Sequence, residues 1–184
     1  MIEKPSKMIL ISICLCLFSL FACSDNDDVS STGMAGDRSS ENEKLAGLPK
    51  NDEKVTISQG VWGNVWFWEG DHMPSTDEDT STGTISPVVR EIYIHEAATS
   101  ADVTATQDPS FFSKIDTALI TTTYSDSDGF YEATLPPGTY SIFVKENNLF
   151  YANSFTGNGE INLVTIEQDR VQKYQIDITY QAAF

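Results

Sequence analysis

Asp126, Asp128 and Gly129, in the stretch TTTYSDSDGFYEATLPPGTYSIFVKE, are the residues most suggestive of chemistry in this chain. Acidic residues two apart before a glycine match the opening of a calcium loop, D-x-[DN]-x-[DN]-G, whose carboxylates supply hard oxygen ligands. The match ends there. Only two Asp precede Gly129, Glu132 follows too soon to close the coordination shell, and the next residues alternate as a strand does. Asp-Gly between two alternating runs instead predicts a hairpin turn, because glycine accepts positive φ at no steric cost. No metal is expected at this turn.

The other reactive residue types are sparse or scattered. The two histidines, His72 and His95, do not stand at metal-ligand spacing. Asp77, Glu78 and Asp79 read as a solvated loop. Serines are plentiful, but no G-x-S-x-G elbow is present. No catalytic residue, cofactor or metal is therefore expected, and the chain reads as non-enzymatic. Asp116-Thr117-Ala118 resembles a bacterial O-glycosylation acceptor, although it falls in a predicted strand.

Three tryptophans are the best candidates for ligand contact. Trp62, Trp66 and Trp68 share one strand parity with Asn64, while Val61, Val65 and Phe67 hold the other. If the Val/Phe face is core, the indoles line the outer face and could stack on sugar rings or a partner protein, with Asp71 and His72 adding polar contacts. The alternative is that the 71–86 loop or the N-terminal segment covers them.

The elements that must position these residues are strands. GVWGNVWFWEG, PVVREIYIHEA, IDTALITTTY, GFYEATLP, GTYSIFVKE, EINLVTIEQ and VQKYQIDITY alternate with period two, and turn residues separate them. No stretch carries a helical stripe. The pattern predicts a single all-β domain over residues 55–184, an antiparallel Greek-key sandwich of about seven strands. Two long segments, 71–86 and 97–114, read as loops.

The N-terminus reads as a targeting segment. Lys4 and Lys7 precede an apolar run of 15 residues, Met8–Ala22, shorter than the about 20 needed to span a bilayer. Leu20-Phe21-Ala22-Cys23 resembles the lipobox of bacterial lipoproteins. That resemblance implies a signal peptide over 1–22 and palmitate-type acylation of Cys23, which would anchor the chain to the outer membrane. Asp25, Asp27 and Asp28 resemble a signal for export to the cell exterior, the alternative being a tether on the periplasmic face. Cys14 and Cys16 lie in the signal segment, so the remainder has no disulfide. Residues 23–54 are rich in Ser, Asp, Asn and Glu and read as a flexible acidic tether. The formal net charge of −16 opposes binding to nucleic acid.

LPPGTY adds a second corner after the hairpin. Pro136 and Pro137 stop the strand, Gly138 supplies the reversal, and Tyr140 can turn its ring inward and send its hydroxyl to nearby backbone. Together, SDSDGFYEATLPPGTYSIFV resembles the signature of carboxypeptidase regulatory-like domains, which are prealbumin-like (transthyretin-like) sandwiches. The matching positions include Asp128, Gly129, Pro137, Gly138 and Tyr140. The resemblance implies a seven-stranded sandwich without catalytic residues, used as an accessory or spacing module. The expected function is a surface-exposed lipoprotein binding module with a glycan or protein partner. The rival expectation is a structural spacer or assembly subunit of an envelope complex.

Overall fold

The computed structural model describes residues 45–73 and 82–184; Cys23, the acidic stretch at 77–79 and the rest of residues 1–44 and 74–81 lie outside them. The chain is all-β. Its strands are β1 (Gly60–Asp71), β2 (Thr84–Pro87), β3 (Glu91–Glu96), β4 (Val103–Ala105), β5 (Phe111–Ile115), β6 (Leu119–Tyr124), β7 (Phe130–Thr134), β8 (Gly138–Glu146), β9 (Leu149–Tyr151), β10 (Leu163–Ile166), β11 (Val171–Lys173) and β12 (Ile176–Ala183). They form two sheets packed as a sandwich.

Several of these pieces are neighbours along one long strand. The first half of β1 pairs with β7 and β11, and its second half with β2 and β12. The first sheet is therefore only three strands wide. β8 is shared in the same way, by β10 over its first half and β9 over its second. The second sheet runs β4-β5-β9-β8-β3-β6. Pairing is antiparallel except where β1 runs parallel to β11 and β12.

The alternation read from sequence sets the faces. Val61, Val65, Phe67, Tyr131, Leu135, Tyr140, Ile142, Val144, Ile176 and Ile178 close one core between the sheets. A smaller core lies on the other face of the second sheet, where Phe143 meets Ala98, Phe112, Ala152 and Ile161. This second core explains the fate of the expected 97–114 loop. Its polar sequence hides β4 and the start of β5, and Phe111 and Phe112 anchor it in the two cores.

The corner is built as expected in one respect and differently in another. The Tyr140 hydroxyl donates to the Pro136 carbonyl at 2.9 Å. Gly138, however, is not in the positive-φ region. A Cβ there would sit 3.0 Å from the Tyr140 hydroxyl oxygen, so glycine serves the close approach of the phenol, not a chain reversal.

The N-terminal boundary also differs from the expected start at residue 55. Asn51 is buried and donates through Nδ2 to Asn64 Oδ1 at 2.8 Å and to the Asp128 carbonyl at 2.9 Å. Residues 51–54 are thus fastened to the sandwich, with a short 3-10 turn at Asp52–Lys54.

Candidate functional site

The Asp126–Gly129 turn holds a cation of its own. Lys54 Nζ lies 2.8 Å from Asp126 Oδ2 and 2.7 Å from Asp128 Oδ2. Asp126 Oδ1 accepts the backbone N–H groups of Asp128 and Phe130, at 2.9 and 3.0 Å. Burial acts to raise the Asp126 carboxyl, but the Lys54 ammonium and these two N–H donors outweigh it and hold the group below its ordinary value. Hydrogen bonds to Asp126 and then Asp128 raise the Lys54 ammonium correspondingly. Gly129 has φ +76°, and a Cβ on it would strike the Val65 carbonyl oxygen at 2.7 Å and the Trp66 ring at 2.8 Å. The turn is therefore a hairpin clamped by lysine. No group of three or more His, Cys, Asp or Glu able to hold a metal occurs among the described residues.

The open tryptophan platform is corrected by burial. The Val/Phe face of β1 is core, and the indoles do lie on the opposite face, but Trp62, Trp66 and Trp68 are only 9%, 3% and 8% exposed. Each has its own cover. Lys173 Nζ lies 4.5 Å from the Trp62 ring centroid, and Phe130 packs beside it. Trp66 forms the floor of a small cleft, about 190 Å³, whose walls include Leu45, Leu48, Asn51 and Gln175. Trp68 donates through Nε1 to Asp177 Oδ1 at 3.0 Å and packs against His72 and Phe184. The N-terminal segment, whose composition reads as a tether, thus covers Trp66, while Trp62 and Trp68 are covered by the body of the sandwich.

The polar neighbours follow suit. His72 is buried, stacked on Phe184, and neither ring nitrogen has a hydrogen-bond partner among the described residues. Asp71 Oδ1 accepts the Met73 N–H, and its carbonyl accepts the Gly83 N–H. His95 is buried too. Its Nδ1 meets the Thr117 carbonyl at 3.0 Å, and desolvation lowers its pKa against that hydrogen bond. Thr117 lies between β5 and β6 and its hydroxyl oxygen is buried, which removes it from the surface an O-glycosylating enzyme would need.

A groove of about 540 Å³ opens instead at one end of the sandwich, lined by Thr106, Gln107, Asp108, Phe111, Asn147, Leu149 and Tyr180. Its apolar floor belongs to an aromatic cluster. Phe111 and Tyr180 have ring centroids 5.2 Å apart and edge-to-face, and Tyr180 also meets Phe67 at 5.6 Å. A buried polar anchor lies beside this floor. The Tyr180 hydroxyl donates to Glu146 Oε2 at 3.0 Å, and the Arg90 guanidinium pairs with the same carboxylate, which is 4% exposed. Burial, then the Glu146 carboxylate, raise the Tyr180 phenol and keep it protonated.

The rim is polar and held in place. Thr106, Gln107 and Asp108 form the tip between β4 and β5, tied by Phe111 N–H to the Asp108 carbonyl and by Ser110 N–H to Asp108 Oδ1. Asn147 belongs to the turn between β8 and β9, where both Asn147 and Asn148 have positive φ, the geometry of a two-residue hairpin that asparagine tolerates. The Asn-Asn pair after GTYSIFVKE was the available sequence signal for this turn. The groove itself is assembled from three separate segments, 106–111, 147–149 and Tyr180, and has no local signature.

Arranged this way, the groove can hold a small neutral molecule with an apolar face and hydroxyl edges. The side chains of Gln107, Asp108 and Asn147 provide amide and carboxylate groups above an aromatic and aliphatic floor. No family model matches the chain, and neither a curated protein nor a solved structure matches it.

Proposed function

We propose that this chain is a non-enzymatic, lipid-anchored binding module of the outer membrane, displayed toward the cell exterior, whose end groove holds a neutral sugar residue of a glycan. The lipobox-like Leu20–Cys23, with Cys23 as the acylated residue, and the acidic residues after it support the anchoring and the exposed face. The Asp-Gly hairpin and the Pro-Pro-Gly-Thr-Tyr corner support an accessory role of the carboxypeptidase regulatory-like, prealbumin-like kind.

The observation that carries the glycan reading is the pairing of half-buried Leu149 and Tyr180, backed from beneath by buried Phe111, with the Gln107, Asp108 and Asn147 rim. An aromatic floor meets the C–H face of a sugar, and a rim of amides and a carboxylate meets its hydroxyls. The rim carboxylate and a formal net charge of −16 favour neutral sugars over anionic ones. The groove takes over the role expected of the indoles.

The test is retention of the mature chain on a panel of immobilised glycans. Gln107→Ala and Asn147→Gly should each weaken retention severalfold while leaving the circular dichroism and melting temperature unchanged. Equal retention of these variants and the parent, on every glycan that binds, would sink the groove as the site. A stoichiometric envelope-protein partner without glycan retention would favour the spacer or assembly role instead.

A further inference from the structure

The polar groups on the rim of the end groove are not equally free. The Thr106 hydroxyl is used within its own turn, where it donates to the Asp108 carbonyl at 3.1 Å and accepts the Asp108 N–H at 3.3 Å. Asp108 Oδ1 is held by the Ser110 N–H at 2.9 Å, which fixes the carboxylate and leaves Oδ2 without a donor among the described residues. The exposed Gln107 amide likewise has no partner among the described residues. The rim therefore presents one oxygen that only accepts and one amide that can donate. The floor is also of two kinds. Half-buried Tyr180 offers an aromatic ring, whereas half-buried Leu149 is branched and has no flat face.

We propose that the sugar this groove takes is a neutral N-acetylhexosamine, recognised through its acetamido group by Asp108, Gln107 and Leu149. The inference rests on the glycan reading of the groove and narrows it to one class of sugar. An acetamido group carries a methyl, an N–H donor and a carbonyl acceptor in a single planar unit. Each has a counterpart here. The N–H goes to Asp108 Oδ2, the carbonyl to the Gln107 amide, and the methyl to Leu149. The Tyr180 ring is left for the C–H face of the sugar, and Asn147 for its hydroxyls. Apolar lining that supplies contact area, with a few polar groups that fix orientation, is the usual division of labour in such sites.

Other sugar classes leave one of these groups without its counterpart. A plain hexose sets a hydroxyl over Leu149, a polar group on an apolar surface. A deoxy sugar supplies a methyl but no N–H for Asp108. A sugar acid brings a second carboxylate to Asp108, in a chain of formal net charge −16. An amino sugar pairs its ammonium with Asp108 but has no methyl for Leu149. Discrimination follows from the waiting acceptor. A site arranged to bond an N–H rejects an analogue that lacks it, because its own polar group is then left unpaired. Hydrogen bonds to an ionised acceptor are also the stronger kind.

The experiment adds matched immobilised sugars to the glycan panel: N-acetylglucosamine with glucose and glucosamine, and N-acetylgalactosamine with galactose and galactosamine. Members of each set differ only at the 2-position. One acetamido sugar should be retained at least about tenfold better than its hexose, the effect of one hydrogen bond to a charged group, and better than its amino sugar. Asp108→Asn keeps an oxygen for the Ser110 N–H but replaces the free acceptor with a donor. It should bring retention of the acetamido sugar down to that of its hexose while the melting temperature holds. Equal retention within each set, or a hexose or amino sugar held better, overturns the inference and leaves the groove a glycan site. Retention of other glycans on the panel but of neither acetamido sugar overturns it too, as does a preference that survives Asp108→Asn. Retention of no glycan at all overturns the glycan reading itself, and this inference with it.

Discussion

Trp66→Ala distinguishes a packed indole from a ligand platform. Trp66 is 3% exposed, under the 45–51 segment and against Gly129. An indole of this burial removes about 200 Å² of largely apolar surface from water. At about 25 cal/mol per Å² this is about 5 kcal/mol, an upper figure because unfolded chains already bury some surface. Large-to-small substitutions of buried tryptophan cost about 3–5 kcal/mol, in agreement. With a urea dependence of about 2 kcal/mol per M, the unfolding midpoint of the mature chain should fall by about 2 M. The assay is a urea titration followed by far-ultraviolet circular dichroism, with Trp66→Phe as the smaller step. A midpoint shift under about 0.5 M, about 1 kcal/mol, together with lost ligand retention, would refute the burial argument and return the indole to the binding surface.

Tyr140→Phe removes the hydroxyl donated to Pro136 and should cost about 1 kcal/mol by chemical denaturation; an unchanged midpoint would deny the corner a stabilising role. Asp126 has a native pKa below 3.8, so its contribution is present above that value and lost as pH falls through the lower native one. Denaturation midpoints should therefore drop on acidification through this window, and Asp126→Asn should flatten the drop. Burial holds His95 below 6.5, so its contribution is present above 6.5 and is lost as pH falls through the native value. Its imidazole proton resonance should titrate below 6.5, and His95→Leu should reduce the pH dependence of stability just under that pH.

The sandwich was legible because alternation is a local property. Val61, Val65 and Phe67 declared one face of β1, and Tyr140, Ile142 and Val144 declared one face of β8, with both sets entering the core. The hairpin and tyrosine corner were legible for the same reason, since Gly129 and Tyr140 act within a few residues. What covers the indoles was not. The segment over Trp66 is fastened by contacts of Asn51 and Lys54 that reach Asp128 across 77 and 74 residues, and its polar composition resembles a tether. β4 has only three residues, inside a Ser- and Thr-rich stretch, too short for periodicity to register. The groove depends on which distant turns meet at one end of the sheets, and that is a property of topology.

The lysine clamp has a mechanical consequence. A pull on the N-terminal segment meets a hydrogen-bonded grip at residues 51–54, where Asn51 and Lys54 hold Asn64 and the 126–128 turn. Load is thereby passed to the middle of β1 and to the β6–β7 hairpin before it reaches the start of β1 at Gly60, which β7 and β11 hold on either side. Drag on the domain would have to shear this cluster of contacts together before it could unzip the strand from its end.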